Sequence, residues 1–272
     1  MMLARWGLMA CAALLYLGCG LSIVRKMSEP DAQAPAALRW LAAAAFGVHA
    51  LALACEIFSD AGIGFGSGLS LSIILWLAAG VMIAQSGMRR ITALMGVVLM
   101  IAAAGAVAPG VFPAPAAAVR WTPLLRALVA FAMLAYSLLL IAVVQAVFLT
   151  LMERQLRSPA ALEDGRGLLS NMPSLVAMER IFFRIIACGF ACLTAVLILG
   201  LLVTEQTYGQ IFTFDHRTVL TWVSWIFFAV LLAGRHVFGW RQRMALNWFW
   251  GAFAALVVAW FAYAFAREFF AG

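Results

Sequence analysis

Eight apolar runs, separated by short polar breaks, set the pattern of this chain. At a rise of about 1.5 Å per residue, runs of this length cross a hydrocarbon core of about 30 Å as α-helices. They fall at Trp6–Val24, Leu38–Phe58, Leu69–Ala84, Ile91–Val107, Leu124–Leu151, Ile181–Leu202, Val219–Gly234 and Ala245–Phe265. The third and fourth are short and are interrupted by glycine. The apolar stretches are continuous, whereas the strands of a membrane barrel alternate apolar and polar positions. The expected fold is therefore all-α: a polytopic integral membrane helical bundle of about eight transmembrane helices, one domain over residues 1–272.

Composition agrees with the pattern. Of the 272 residues, 66% are hydrophobic and 11% charged, and the mean hydropathy is +1.04. Soluble domains are about half apolar and about a quarter charged. A net charge of +7 and a pI near 9.7 would suggest a nucleic-acid partner in a soluble protein. In a membrane protein, basic residues instead gather in cytoplasmic loops and set orientation, so no nucleic acid is expected. The breaks after spans one, three, five and seven, with their flanks, hold thirteen of the 18 Lys and Arg residues, from Arg25 and Lys26 to Arg241 and Arg243. The other side holds five: Arg5, Arg120, Arg126, Arg217 and Arg267. Both termini are expected outside, in the periplasm of a Gram-negative cell, with the chain in the bacterial inner membrane. Arg5 and the Leu17-Gly-Cys19 run have the outline of a signal peptide, but cleavage there would leave Arg25 and Lys26 outside, against the charge bias. The five cysteines read as buried free thiols.

Few polar residues lie where chemistry could use them. His49 falls within span two, roughly 16 Å deep. An ionisable residue at that depth faces the bundle interior and has a partner. It is either a ligand to a metal or cofactor, a proton relay, or a core histidine hydrogen-bonded to a neighbouring helix. Glu56, two turns on along the same face, sits near the outer boundary, either extending a polar stripe or solvated. Asp215 is placed to cap span seven, which leaves His216 beside it less well explained, since a cation is disfavoured at a helix N-terminus. Trp222 and Trp225, one turn apart below His216, would form a flat aromatic shelf for a planar ligand or part of an interfacial belt. Arg120, Arg126 and Arg217 would pair with carboxylates of that ligand or with lipid phosphates. Trp240, Trp248 and Trp260 read as interfacial. The loop Met152–Ser174 reads as a solvated linker, and Pro173 as the opening of a helix that starts amphipathic. There is no Walker loop, HExxH, GxSxG or dinucleotide fingerprint, and no catalytic residue is assigned.

Taken together, several of these stretches resemble the cytochrome c assembly family of heme-handling membrane proteins, most of all its smaller HemX-like and YpjD-like branch. The matching pieces are Gly189-Phe190 with Leu193-Thr194 and Gly200, then Asp215-His216-Arg217, Thr221-Trp222 with Trp225, and Gly239-Trp240-Arg241 with Arg243. Upstream, His49 to Leu53 looks like the family's histidine stretch in span two, and Met172 to Glu179 like the approach to span six. The chain departs from the larger members in three places. The segment Thr204–Phe214 contains no tryptophan, Leu128 stands where the family has a histidine in span five, and the family's Asp-Pro-Lys reads Asp-His-Arg. The resemblance implies heme handling linked to cytochrome c maturation, with other maturation proteins and the lipid bilayer as partners. It makes His49 the axial ligand to iron and Met133 a second, sulfur candidate. Arg126 and Arg217 would meet the propionates, and His216, Trp222 and Trp225 would form the outer rim of the slot. Two other functions compete: a regulator of heme biosynthesis acting through Met152–Ser174, and a transporter using His49 and Glu56 as a relay.

Overall fold

A computed structural model of the chain describes residues 2–27, 36–57, 66–85, 92–113, 121–156, 175–209, 216–240, 244–255 and 258. Every regular element among the described residues is an α-helix, as the continuous apolar runs predict. The helices are α1 (Met2–Met27), α2 (Ala36–Ile57), α3 (Ser67–Gln85), α4 (Thr92–Val111), α5 (Pro123–Leu156), α6 (Leu175–Tyr208), α7 (His216–Val237) and α8 (residues 244–255). The first six contain stretches long and apolar enough to cross a membrane. The apolar part of α7, Thr221–Val237, is shorter, and most of the expected eighth span beyond residue 255 lies outside the described residues. The expected ends move outward by up to about two turns at α5 and α6, because the polar flanking residues continue the helix. Most of the predicted linker Met152–Ser174 also lies outside the described residues.

The chain divides into two compact units. One comprises Met1–Arg120 with Leu140–Met178, the other Trp121–Leu139 with Glu179–Gly272. In the first unit α4 is the central helix: 61% of its apolar stretch is buried, against 28% for α2. It packs on α1 and α3 and touches α2, and α1 and α3 each also pack on α2. The α1–α4 crossing is close because Gly20 and Gly96 face each other. A Cβ on Gly20 would stand 2.7 Å from the Gly96 carbonyl oxygen, and small residues admit such approach in membranes. Phe46 of α2 stacks on Trp76 of α3 at 4.6 Å, and the Trp76 indole N–H donates to the Phe46 carbonyl at 3.1 Å. The outward faces carry Leu14, Trp40 and Leu51, as a lipid-facing surface requires.

The second unit is built around aromatic rings. Phe182 of α6, Phe228 of α7 and Phe249 of α8 are buried together, with Phe249 edge-on to Phe182 at 5.1 Å and to Phe228 at 6.2 Å. The start of α5 is set by sequence: Thr122 Oγ1 accepts from the Leu125 N–H at 3.2 Å, and Pro123 takes the first helical position, where no N–H is needed. Helix α6 closes at Gly209, whose positive φ of 67° lets its N–H return to the Glu205 carbonyl at 2.9 Å. Several threonine hydroxyls are satisfied within their own helices. Thr150, Thr194, Thr204 and Thr207 each donate to the carbonyl four residues back at 2.7–2.8 Å.

Candidate functional site

In the first unit three helices converge on His49, whose side chain is completely buried. Its Nε2 lies 2.9 Å from Ser72 Oγ of α3, and Ser72 is buried as well. From α1 the fully buried ring of Tyr16 meets the imidazole edge-on, centroids 5.7 Å apart at 78°. The other ring nitrogen, Nδ1, is buried without a hydrogen-bond partner, and so is the Tyr16 hydroxyl. His49 is thus not simply a core histidine satisfied on both sides. One nitrogen is held and the other is buried without a partner.

Glu56 does not extend this cluster. It forms an ion pair with Arg5, joining the end of α2 to the start of α1, with side chains only part-exposed. The charge that sequence placed at a polar boundary is therefore matched by a partner 51 positions away.

The second unit contains the aromatic motif. Phe190 of α6 stacks on Trp225 of α7 at 5.3 Å and 28°, and Trp222 stands edge-on to Trp225 at 6.0 Å and 67°. The Trp225 indole N–H donates to Thr194 Oγ1 at 2.9 Å, while Thr194 donates onward to the Phe190 carbonyl at 2.8 Å. A Cβ on Gly189, one residue before, would stand 3.3 Å from the Leu139 side chain and 3.6 Å from that of Leu138 on α5, so α6 and α5 approach closely here. The Gly-Phe and Leu-Thr pairs thus join α6 to α5 and α7. Trp222 differs, since its buried indole N–H has no partner.

The Gly239-Trp240 motif forms a turn. Gly239 has a positive φ of 62°, and the N–H groups of Phe238 and Trp240 both return to the Gly234 carbonyl, at 3.0 and 3.2 Å. The Trp240 indole folds over Gly234, where any Cβ would strike it, and stacks on Trp248 at 5.6 Å. Arg235 holds the turn from the side. It donates to Glu179 Oε1 at 2.6 Å and to the Trp240 carbonyl at 3.0 Å, and its guanidinium lies 4.6 Å from the centre of the Phe183 ring. Trp240 and Trp248, both read from sequence as interfacial, are partners in one stack.

The remaining candidates are less engaged. Arg126 is exposed in the first turn of α5, its backbone N–H bonded to the Thr122 carbonyl at 3.0 Å. Met133 and Leu128 are part-buried on the same helix. His216 and Arg217 open α7, but their side chains lie outside the described residues, as do Asp215 and Arg120. His49 belongs to the first unit, and Arg126, Met133, Trp222 and Trp225 to the second. Among the described residues no three His, Cys, Asp or Glu side chains are gathered as a metal centre.

Heme is the cofactor that the resemblance implies, and the donors around His49 bear on it. A histidine that ligates a metal keeps one ring nitrogen for the metal and gives the other to a hydrogen-bonding partner that fixes the ring. Ser72 on Nε2 and an unpartnered Nδ1 meet that requirement for one axial position. Sequence reasoning found His49 but missed Ser72 and Tyr16. A hydroxyl 23 positions away and a single tyrosine in the first span give no periodic signal, and only helix packing brings them to the ring.

Comparison with known proteins gives one family match along most of the chain and relatives that match part of it. The family described as Cytochrome C assembly protein matches residues 9–270. The chain is 29% identical over 128 residues to the inner membrane protein YpjD of Escherichia coli (strain K12), a match covering 47% of this chain and 46% of that protein. It is 27% identical over 88 residues to the cytochrome c biogenesis protein CcsA of Rippkaea orientalis, covering 29% of this chain and 26% of that protein. The match thus spans less than half the length of each of these relatives. With its helices of membrane-spanning length and a family match running through both compact units, this chain is a multi-pass membrane protein of the cytochrome c assembly family.

Proposed function

We propose that this protein binds and handles heme in cytochrome c maturation, from the inner membrane of a bacterium with both termini in the periplasm. The observation that carries the reading is His49: a completely buried imidazole, one nitrogen held by Ser72 and the other without a partner. The family match and the names of the two relatives, an inner membrane protein and a cytochrome c biogenesis protein, support the setting. When bound, heme would supply the redox-active iron and the porphyrin to be attached elsewhere. The chain would supply the iron ligand through His49, with Ser72 and Tyr16 holding its ring from the neighbouring helices. In this reading the chain positions its cargo and passes it to other maturation proteins without catalysing a reaction itself.

The test is an absorption spectrum of the protein purified from cells with co-expressed heme synthesis. A Soret band that is lost or displaced in His49→Ala and His49→Gln, with both variants still monodisperse in detergent, supports the proposal. No band in the parent, or a band unaltered in both variants, overturns it.

A further inference from the structure

We propose that Ser72 is a positioning residue that fixes both the ring orientation and the tautomer of His49, so that Nδ1 carries the lone pair that faces a metal. This rests on the heme-handling reading above and adds to it the residue that makes His49 a ligand.

The geometry supplies two independent holds on the imidazole. Tyr16 packs edge-on against it from α1, which limits how the ring can tilt. Ser72 meets Nε2 at 2.9 Å from α3, which fixes its rotation about the ring axis. All three side chains are completely buried, so no bulk water competes for the ring nitrogens. A neutral imidazole has one N–H and one lone pair, and the partner of one nitrogen determines the role of the other. If Nε2–H donates to the serine oxygen, the lone pair sits on Nδ1, the nitrogen with no partner. The hydroxyl is then free to turn its own proton to carbonyls within its helix, the habit of Thr150, Thr194 and Thr204 elsewhere in this chain. Alanine at 72 would remove the acceptor at Nε2 and leave the two tautomers to compete.

The chain contains only three histidines, so the test can be read without heme as well as with it. In protein labelled with 15N-histidine, the ring nitrogens of His49 are identified by their loss in His49→Gln. The parent and Ser72→Thr should show one tautomer with the proton on Nε2, and Ser72→Ala and Ser72→Val a mixture or the opposite tautomer. Threonine and valine are nearly equal in size, so that pair isolates the hydroxyl even if alanine loosens the packing. With heme, loss of the partner should weaken binding by about 10–100-fold, the usual effect of removing an outer-shell partner of a ligating histidine. It should also raise the midpoint potential, because the imidazole becomes a weaker donor to ferric iron. Identical nitrogen shifts in the parent, Ser72→Ala and Ser72→Val would overturn this inference while leaving the heme-handling proposal intact. Absence of heme from the parent itself would overturn both.

Discussion

The indole N–H of Trp225 and the hydroxyl of Thr194 meet at 2.9 Å across the α6–α7 contact, and this one bond explains two pieces of the sequence pattern at once. The threonine accepts from the tryptophan while donating to its own helix, so both polar groups are satisfied without water. Thr194→Val keeps the shape and removes both roles, leaving a part-buried indole N–H without its acceptor. We expect a loss of about 1–3 kcal/mol. Thr194→Ser should stay close to the parent. Thermal unfolding in detergent, followed by circular dichroism, distinguishes the two.

Tyr16 offers the opposite case. Its ring fills space beside His49, but its buried hydroxyl has no protein partner. Tyr16→Phe should therefore be neutral or slightly stabilising, whereas Tyr16→Ala opens a cavity and should cost about 3–5 kcal/mol. A Tyr16→Phe variant as unstable as Tyr16→Ala would show that the hydroxyl is bonded after all.

The turn after α7 separates backbone strain from collision. Gly239→Ala places a side chain at a positive φ of 62° and should cost about 1–2 kcal/mol. Gly234→Ala meets the indole of Trp240 directly, so the ring must leave its place over the helix. We expect Gly234→Ala to cost more and to red-shift tryptophan emission as Trp240 becomes exposed to solvent, while Gly239→Ala leaves the spectrum nearly unaltered.

Arg235 has three attachments and Glu179 one, so removal of either should not be equivalent. Arg235→Gln loses the ion pair, the bond to the Trp240 carbonyl and the contact with Phe183. Glu179→Gln keeps the latter two. In a double-mutant cycle we expect Arg235→Gln to be the more destabilising single change and the double variant to fall near it, giving a coupling of about 0.5–3 kcal/mol. Equal single effects that simply add would disprove the shared network.

Much of the architecture is legible in the sequence, because membrane-spanning runs carry their own length requirement and the breaks between them are polar. The helix α7 shows where that legibility ends: its apolar part, Thr221–Val237, is short, and the helix already begins at His216, ahead of that part. The site was legible only in part. His49 stands out because an ionisable residue is rare at mid-span, but Ser72 and Tyr16 look ordinary in isolation. Gly239 and Trp240 could be recognised as a motif, yet their purpose, a turn that lays an indole over Gly234, requires the fold. Pairings across helices, such as Arg235 with Glu179, depend on which faces meet, and apolar periodicity alone does not encode that.

The ion pair between Arg5 and Glu56 also bears on how the first two helices hold together in the bilayer. Opposite charges at adjacent ends of α1 and α2 answer each other, so neither helix has to carry an isolated ion beside its apolar run. The pair acts as a clasp, closing at its end a contact that the apolar faces of α1 and α2 make along their length.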